Sequence, residues 1–92
     1  MRHIKTYKIF EGHSNWSEID DKLQKEFQFD DFTQALDFIN RLAQICEKMN
    51  HHPHIDWVYN KVKLSLSTHD VGDIVTDKDK ELASEIDILL TK

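Results

Sequence analysis

The 92-residue chain is predicted to fold as one α+β domain, a four-stranded antiparallel sheet with helices packed on one face. Three observations predict it. Short stretches of alternating apolar residues come in two pairs, one on each side of a long segment with helical spacing. A second helical segment follows the last of them. Two glycines and one proline leave little material for flexible linkers, so residues 1–92 read as a single unit. The order strand, strand, helix, strand, strand, helix packs helices over paired strands.

The elements follow in order. In "IKTYKIF", Ile4, Thr6, Lys8 and Phe10 alternate with Lys5, Tyr7 and Ile9. Both faces carry apolar groups, so an edge strand is compatible with the pattern but no buried side is chosen. Trp16 to Ile19 reads as a short strand and Asp20-Asp21 as a turn. Leu23, Lys25, Phe27 and Phe29 then alternate with Gln24, Glu26 and Gln28. That is a half-buried strand with one exception, Lys25. The two strands form a hairpin.

Asp30 or Asp31 is placed to cap the next helix, since a carboxylate accepts the orphan amides of a first turn. Phe32, Ala35, Leu36, Ile39, Leu42, Ala43, Cys46 and Met49 recur at helical spacing. Phe38 and Ile45 widen the stripe, which suits either a well-buried helix or one that also meets another subunit. Pro53 disfavours helix at His52, so the helix should stop near Asn50. "IDWVY" and "VKLSLST" follow as strands around a turn at Asn60-Lys61, with Val62, Leu64 and Leu66 on one face. Thr76 and Asp79 have capping-box spacing. Leu82, Ala83, Ile86, Leu89 and Leu90 mark a closing amphipathic helix. A core this small gains from oligomerisation.

Composition removes several classes of function. Seventeen acidic against twelve basic residues give a formal charge of -5, the wrong sign for a broad nucleic-acid footprint. No window has the length and apolarity of a membrane span. "MRHIKTYKIF" lacks the apolar segment of a secretory signal, and the lone Cys46 suits a reducing compartment. A cytoplasmic protein is expected, with nuclear entry left open.

The chemistry-bearing residues cluster. "NHHPHIDWVYNKVKLSLSTHD", residues 50 to 70, holds four of the six histidines: His51, His52, His54 and His69. A zinc site wants three or four groups converging on one point, and this spacing fits no familiar zinc pattern. A metal-binding protein built on these histidines is therefore the minor alternative. Imidazole titrates near pH ~6.5 and serves readily as general acid or base. Two imidazoles flanking a substrate supply the pair of proton transfers that elimination of water requires. Glu47 stands four residues before His51, beside its ring if the helix runs that far. His69 follows the last strand, where loops commonly build sites.

Glu47, His51-His52-Pro53, Tyr59, His69 and Asp79 together resemble the pterin-4a-carbinolamine dehydratase family. Its pattern is an acid, three residues, His-His-Pro, five residues, an aromatic, nine residues, a His and a later Asp. "VYNKVKLSLSTH", "DKELASEI" and "FQFDDFTQALDFINRLAQICEKMNHHP" extend the likeness to roughly residues 15 to 90. The segment before Trp16 does not read as the helix many members carry there, so that helix is expected short or absent. The resemblance implies the same α+β fold and dehydration of 4a-hydroxytetrahydrobiopterin to quinonoid dihydropterin, which recycles the cofactor of aromatic amino-acid hydroxylases. It implies a pterin substrate, no cofactor or metal, and a homodimer or homotetramer. His51, His52 and His69 would be catalytic. Glu47, Pro53, Ser67, Thr68 and Trp16 would bind or orient: Glu47 an imidazole, the Ser67-Thr68 backbone the pterin edge, Trp16 a pocket wall. Tyr59 would pack. Asp79 has a sufficient role in its capping box. Animal members also serve as dimerisation cofactors of a transcription factor, a non-enzymatic alternative that the stripe with Phe38, Leu42 and Ile45 could support.

Overall fold

The computed structural model describes residues 8–9 and 16–90. Its elements are β1 (Lys8–Ile9), β2 (Ser17–Ile19), β3 (Lys22–Gln28), α1 (Phe32–Met49), β4 (His54–Val58), β5 (Lys61–Leu66), a short 3-10 turn (His69–Val71) and α2 (Asp77–Leu90). The four-stranded antiparallel sheet β2-β3-β5-β4 is as the sequence predicts, and β1 pairs with β3 through Lys8–Gln28 and Ile9–Phe27. Of the expected Ile4–Phe10 strand, only that two-residue piece falls within the described residues. Among them no helix is long and apolar enough to cross a membrane.

Register follows from alternation. Leu23 faces Leu66, Lys25 faces Leu64 and Phe27 faces Val62 across β3 and β5. One row of inward side chains therefore meets another, and both helices cover it. Phe27, Phe38, Val62, Leu64, Leu66, Leu82 and Ile86 are fully shut from solvent. At about 25 cal/mol per Å² of apolar surface, this shared interior is what holds helices to sheet. The uncovered face is polar, with Asp56 on β4 beside Lys63 on β5 and Glu26 on β3. Opposite charges thus alternate across three strands.

Lys25, the exception in the β3 pattern, points into the core side. Its ammonium lies 2.8 Å from Asp87 on α2 and over the rings of Trp16 and Phe27, 5.6 and 5.2 Å from their centroids. A buried ammonium needs such a counter-charge, because desolvation otherwise favours its neutral form.

The turns explain the boundaries. Asp20 and Asp21 both take positive φ, 53° and 63°, the requirement of a two-residue hairpin turn. The second hairpin turns at Tyr59-Asn60, one residue earlier than Asn60-Lys61. Tyr59 takes φ 53° there, its ring is exposed, and its carbonyl accepts from Trp57 Nε1 at 2.8 Å. The packing role expected for Tyr59 is replaced by this turn. Asp31 caps α1, accepting from the Gln34 amide at 2.9 Å.

Phe38 departs from the subunit-contact alternative. Its ring lies 5.1 Å from those of both Phe27 and Phe29, and Leu42 is equally buried. Most of the wide stripe on α1 covers the protein's own sheet.

Candidate functional site

The end of α1 decides where two histidines go. Asn50 takes the left-handed conformation, φ 54° and ψ 45°. Its amide donates to Glu47 O at 3.3 Å, and the His51 amide to Cys46 O at 3.0 Å. This is a Schellman termination, in which the chain folds back over the last turn. The helix does not persist to His51, so Glu47 and His51 do not share a helical face. His51 is turned inward instead, and Glu47 meets His52, with Nε2 of His52 2.7 Å from Glu47 Oε2. The expected Glu47–His51 pairing is corrected to Glu47–His52 by that one left-handed residue. Pro53, half-buried, carries the chain from this turn into β4.

Inside, His51 Nε2 lies 2.6 Å from Asp79 Oδ1. Asp79 comes from the first turn of α2 and is completely buried. Its other oxygen accepts from the Thr76 amide at 2.8 Å and from Thr68 Oγ1 at 2.7 Å. Burial pushes the Asp79 carboxyl up. The hydrogen bonds from His51, the Thr76 amide and Thr68, with the His51 charge, outweigh it and hold the group below its ordinary value.

His69 begins the loop after β5. Thr68 N donates to Ile74 O at 2.8 Å, and Thr68 O accepts from Asp73 N at 3.0 Å, which closes residues 69–73 into a tight excursion. Gly72 sits at φ 94°, a conformation that favours glycine. His69 Nδ1 lies 3.3 Å from Asp73 Oδ1, and its side chain is 89% exposed.

These pieces converge. His51, His52, His69, Asn50, Ser67, Thr68, Asp70 and Lys78 line one hollow of about 230 Å³, smaller than the ~300–1,000 Å³ usual for ligand pockets. A flat ligand there keeps one side toward solvent. Glu47 reaches the hollow only through His52. Trp16 does not line it: its Nε1 donates to Asp87 at 3.2 Å and its ring meets Phe27 edge-on at 5.9 Å. Trp16 is thus a hairpin-packing residue rather than a pocket wall. The Thr68 backbone is consumed by the loop and its hydroxyl by Asp79, so Thr68 supports the wall from behind while Ser67 stays half-buried at the surface. His54 lies on the polar sheet face, opposite Ser65. Among the described residues no three His, Cys, Asp or Glu side chains are placed to hold a metal.

Asp79 is the member that reading the residues undervalued. Its capping-box spacing explained it locally, and only the family pattern linked it with the histidines. Asn50 and Lys78 carried no signal, because their place depends on how two helix ends meet.

An antiparallel sheet with helices on one side is the fold the family pattern implied. The chain matches the family model for pterin 4 alpha carbinolamine dehydratase over residues 3–89. It is 44% identical to a relative from Prochlorococcus marinus subsp. pastoris (strain CCMP1986), provisionally named pterin-4-alpha-carbinolamine dehydratase, over all of this chain and 95% of the relative. A relative of the same provisional name from Sulfurisphaera tokodaii is 49% identical over 83% of this chain and 81% of its own. Among solved structures, a transcriptional coactivator/pterin dehydratase from Brucella melitensis superimposes with a TM-score of 0.77 at 31% identity, covering 83% and 82% of the two chains. A pterin dehydratase-like protein described as a RuBisCO assembly factor in the α-carboxysome gives 0.72 at 25% identity, covering 89% and 95%. The chain belongs to the pterin-4a-carbinolamine dehydratase family.

Proposed function

We propose that the protein dehydrates 4a-hydroxytetrahydrobiopterin, or a close pterin carbinolamine, to the quinonoid dihydropterin, in recycling of a tetrahydropterin cofactor. The observation that carries this reading is the meeting of His51, His52 and His69 around one open hollow. The chemistry needs two proton transfers. The C4a–O bond breaks with its electron pair, and the departing oxygen takes a proton from an imidazolium to leave as water. A neutral imidazole removes the proton from the adjacent ring nitrogen, and the C=N double bond forms. His51 and His69 share these duties from two sides of the hollow. Correctly placed groups of this kind contribute roughly 10²- to 10⁴-fold each. His52, steadied by Glu47, orients the pterin at the rim, with Ser67 beside it. The reading calls for no metal or cofactor. It places the protein in the cytoplasm, where the buried Cys46 thiol stays reduced.

The test is dehydration of the carbinolamine by purified protein. Wild type should accelerate it, and His51→Ala and His69→Ala should each lose at least about a hundredfold. Turnover equal to wild type in both variants rejects the assignment.

A non-enzymatic binding role is favoured by the description of one structural neighbour as an assembly factor, and the other neighbour is described as both coactivator and pterin dehydratase. That role predicts a folded protein without carbinolamine turnover, which the same assay reads.

A further inference from the structure

The hydrogen-bond distances around Asp79 favour one proton arrangement. An ionised carboxylate only accepts, and Thr68 Oγ1 lies 2.7 Å from Asp79 Oδ2 where Thr76 Oγ1 lies 3.5 Å from it, so the shorter contact makes Thr68 the hydroxyl that donates to Asp79. Thr76 Oγ1 lies 2.5 Å from Thr68 Oγ1. Because the Thr68 proton is already committed, the Thr76 hydroxyl is the donor of that pair. Thr76 Oγ1 in turn accepts the Lys78 amide at 3.3 Å. A directed chain therefore runs from the α2 amide through Thr76 and Thr68 to Asp79 Oδ2. At the other oxygen, 2.6 Å away, His51 Nε2 must carry a proton.

From this we infer that Asp79, held by the hydroxyls of Thr68 and Thr76, fixes neutral His51 as its Nε2–H tautomer and makes Nδ1 the nitrogen presented to the hollow. Two observations put Nδ1 there. No hydrogen bond ties it to any described residue, yet among those residues no buried side-chain nitrogen or oxygen lacks a partner. Nδ1 is therefore open to solvent, and the small exposed part of His51 lines the hollow. Thr68 and Thr76 act through Asp79 and are positioning residues, as is Asp79 itself. The logic is that of a carboxylate–imidazole pair in which the acid sets the tautomer without taking the proton.

The inference rests on the dehydratase reading for its use but not for its test. Long-range ¹⁵N–¹H correlation of imidazole-labelled protein reports the protonated nitrogen of His51 directly, without substrate. Above the imidazole's titration, wild type should show Nε2–H over Nδ1–H by roughly tenfold to a hundredfold, as a charge-assisted hydrogen bond implies. In Asp79→Asn, the Thr68 hydroxyl and Thr76 amide claim the side-chain oxygen, so the amide group faces His51. Nε2 must then accept, and the preference should invert to Nδ1–H. A purely structural role for Asp79 would not invert a tautomer. Thr68→Val should weaken the wild-type preference, and Thr76→Ser, which keeps the hydroxyl, should preserve it. Predominant Nδ1–H in the wild type overturns the inference, as does an unchanged preference in folded Asp79→Asn. The wild-type spectrum decides the first point even if the variant fails to fold. Carbinolamine turnover measured alongside separates the two levels: inactivity with the Nε2–H tautomer intact sinks the dehydratase reading alone.

Discussion

His51 and His52 lie 2.6 and 2.7 Å from their carboxylate partners, nearly equal distances in opposite surroundings. The His51 side chain is 10% exposed and Asp79 not at all, whereas His52 and Glu47 are 55% and 77% exposed. Water screens the outer pair, so it contributes about 0–1 kcal/mol. The inner pair sits in low dielectric with both Asp79 oxygens and His51 Nε2 hydrogen-bonded, where losing one partner leaves the other stranded. Two adjacent histidines thus receive different tasks from a single backbone event, the left-handed Asn50. Distance alone does not rank a hydrogen bond; the medium around it does.

The largest effect that would sharpen this contrast is on turnover. Asp79→Asn should lower carbinolamine dehydration by about 10³- to 10⁴-fold through the wrong tautomer. Glu47→Gln should lower it by no more than about fivefold. Equal losses in steady-state assays of the two variants would erase the distinction between inner and outer pairs.

Next in size is the buried Lys25–Asp87 pair, a second inner contact. Asp87→Ala removes one carboxylate partner of a lysine side chain only 4% exposed and should cost about 1–3 kcal/mol in denaturant unfolding. Lys25→Met, which removes the charge as well, should cost less. The reverse order would show that the ammonium is not dependent on Asp87.

Acid pH probes the inner pair by itself. The folded Asp79 carboxyl lies below its ordinary value, so the folded protein binds fewer protons than the unfolded chain between the two values. Its contribution is complete above about pH 4 and is lost as pH falls through the folded value. Stability should therefore fall more steeply for wild type than for Asp79→Asn below about pH 4. The Cys46 thiol gives the opposite sign: burial raises it to about 11, so its contribution is lost as pH rises from about 9 to about 11, and Cys46→Ala should flatten that limb.

The smallest effect addresses the cause of the contrast. Asn50→Ala places an ordinary side chain in the left-handed region and should cost about 1 kcal/mol, while Asn50→Gly should cost less. Thermal unfolding distinguishes them.

Much of the fold was legible in the sequence because its determinants are local. Alternation placed Leu23, Phe27, Val62 and Leu64 inward, Asp31 and Thr76 capped their helices, and Asp20-Asp21 turned a hairpin. The site was legible only in part. The three histidines were visible as residue types, but their partners depended on geometry that spacing does not encode. Glu47 was matched with His51 because four residues separate them, and a one-residue change of backbone hand gave it His52 instead. Trp16 was assigned to the pocket, yet its partner Asp87 lies 71 residues away. Phe38 looked surplus to its helix until Phe27 and Phe29 enclosed it.

A crystal structure with a reduced pterin analogue shows where the substrate sits. The ring should lie in the hollow between the His51 and His69 imidazoles, with His51 Nδ1 within about 3 Å of a ring heteroatom near the 4a carbon. A pterin bound elsewhere on the molecule, or one that leaves both imidazoles untouched, would contradict that arrangement.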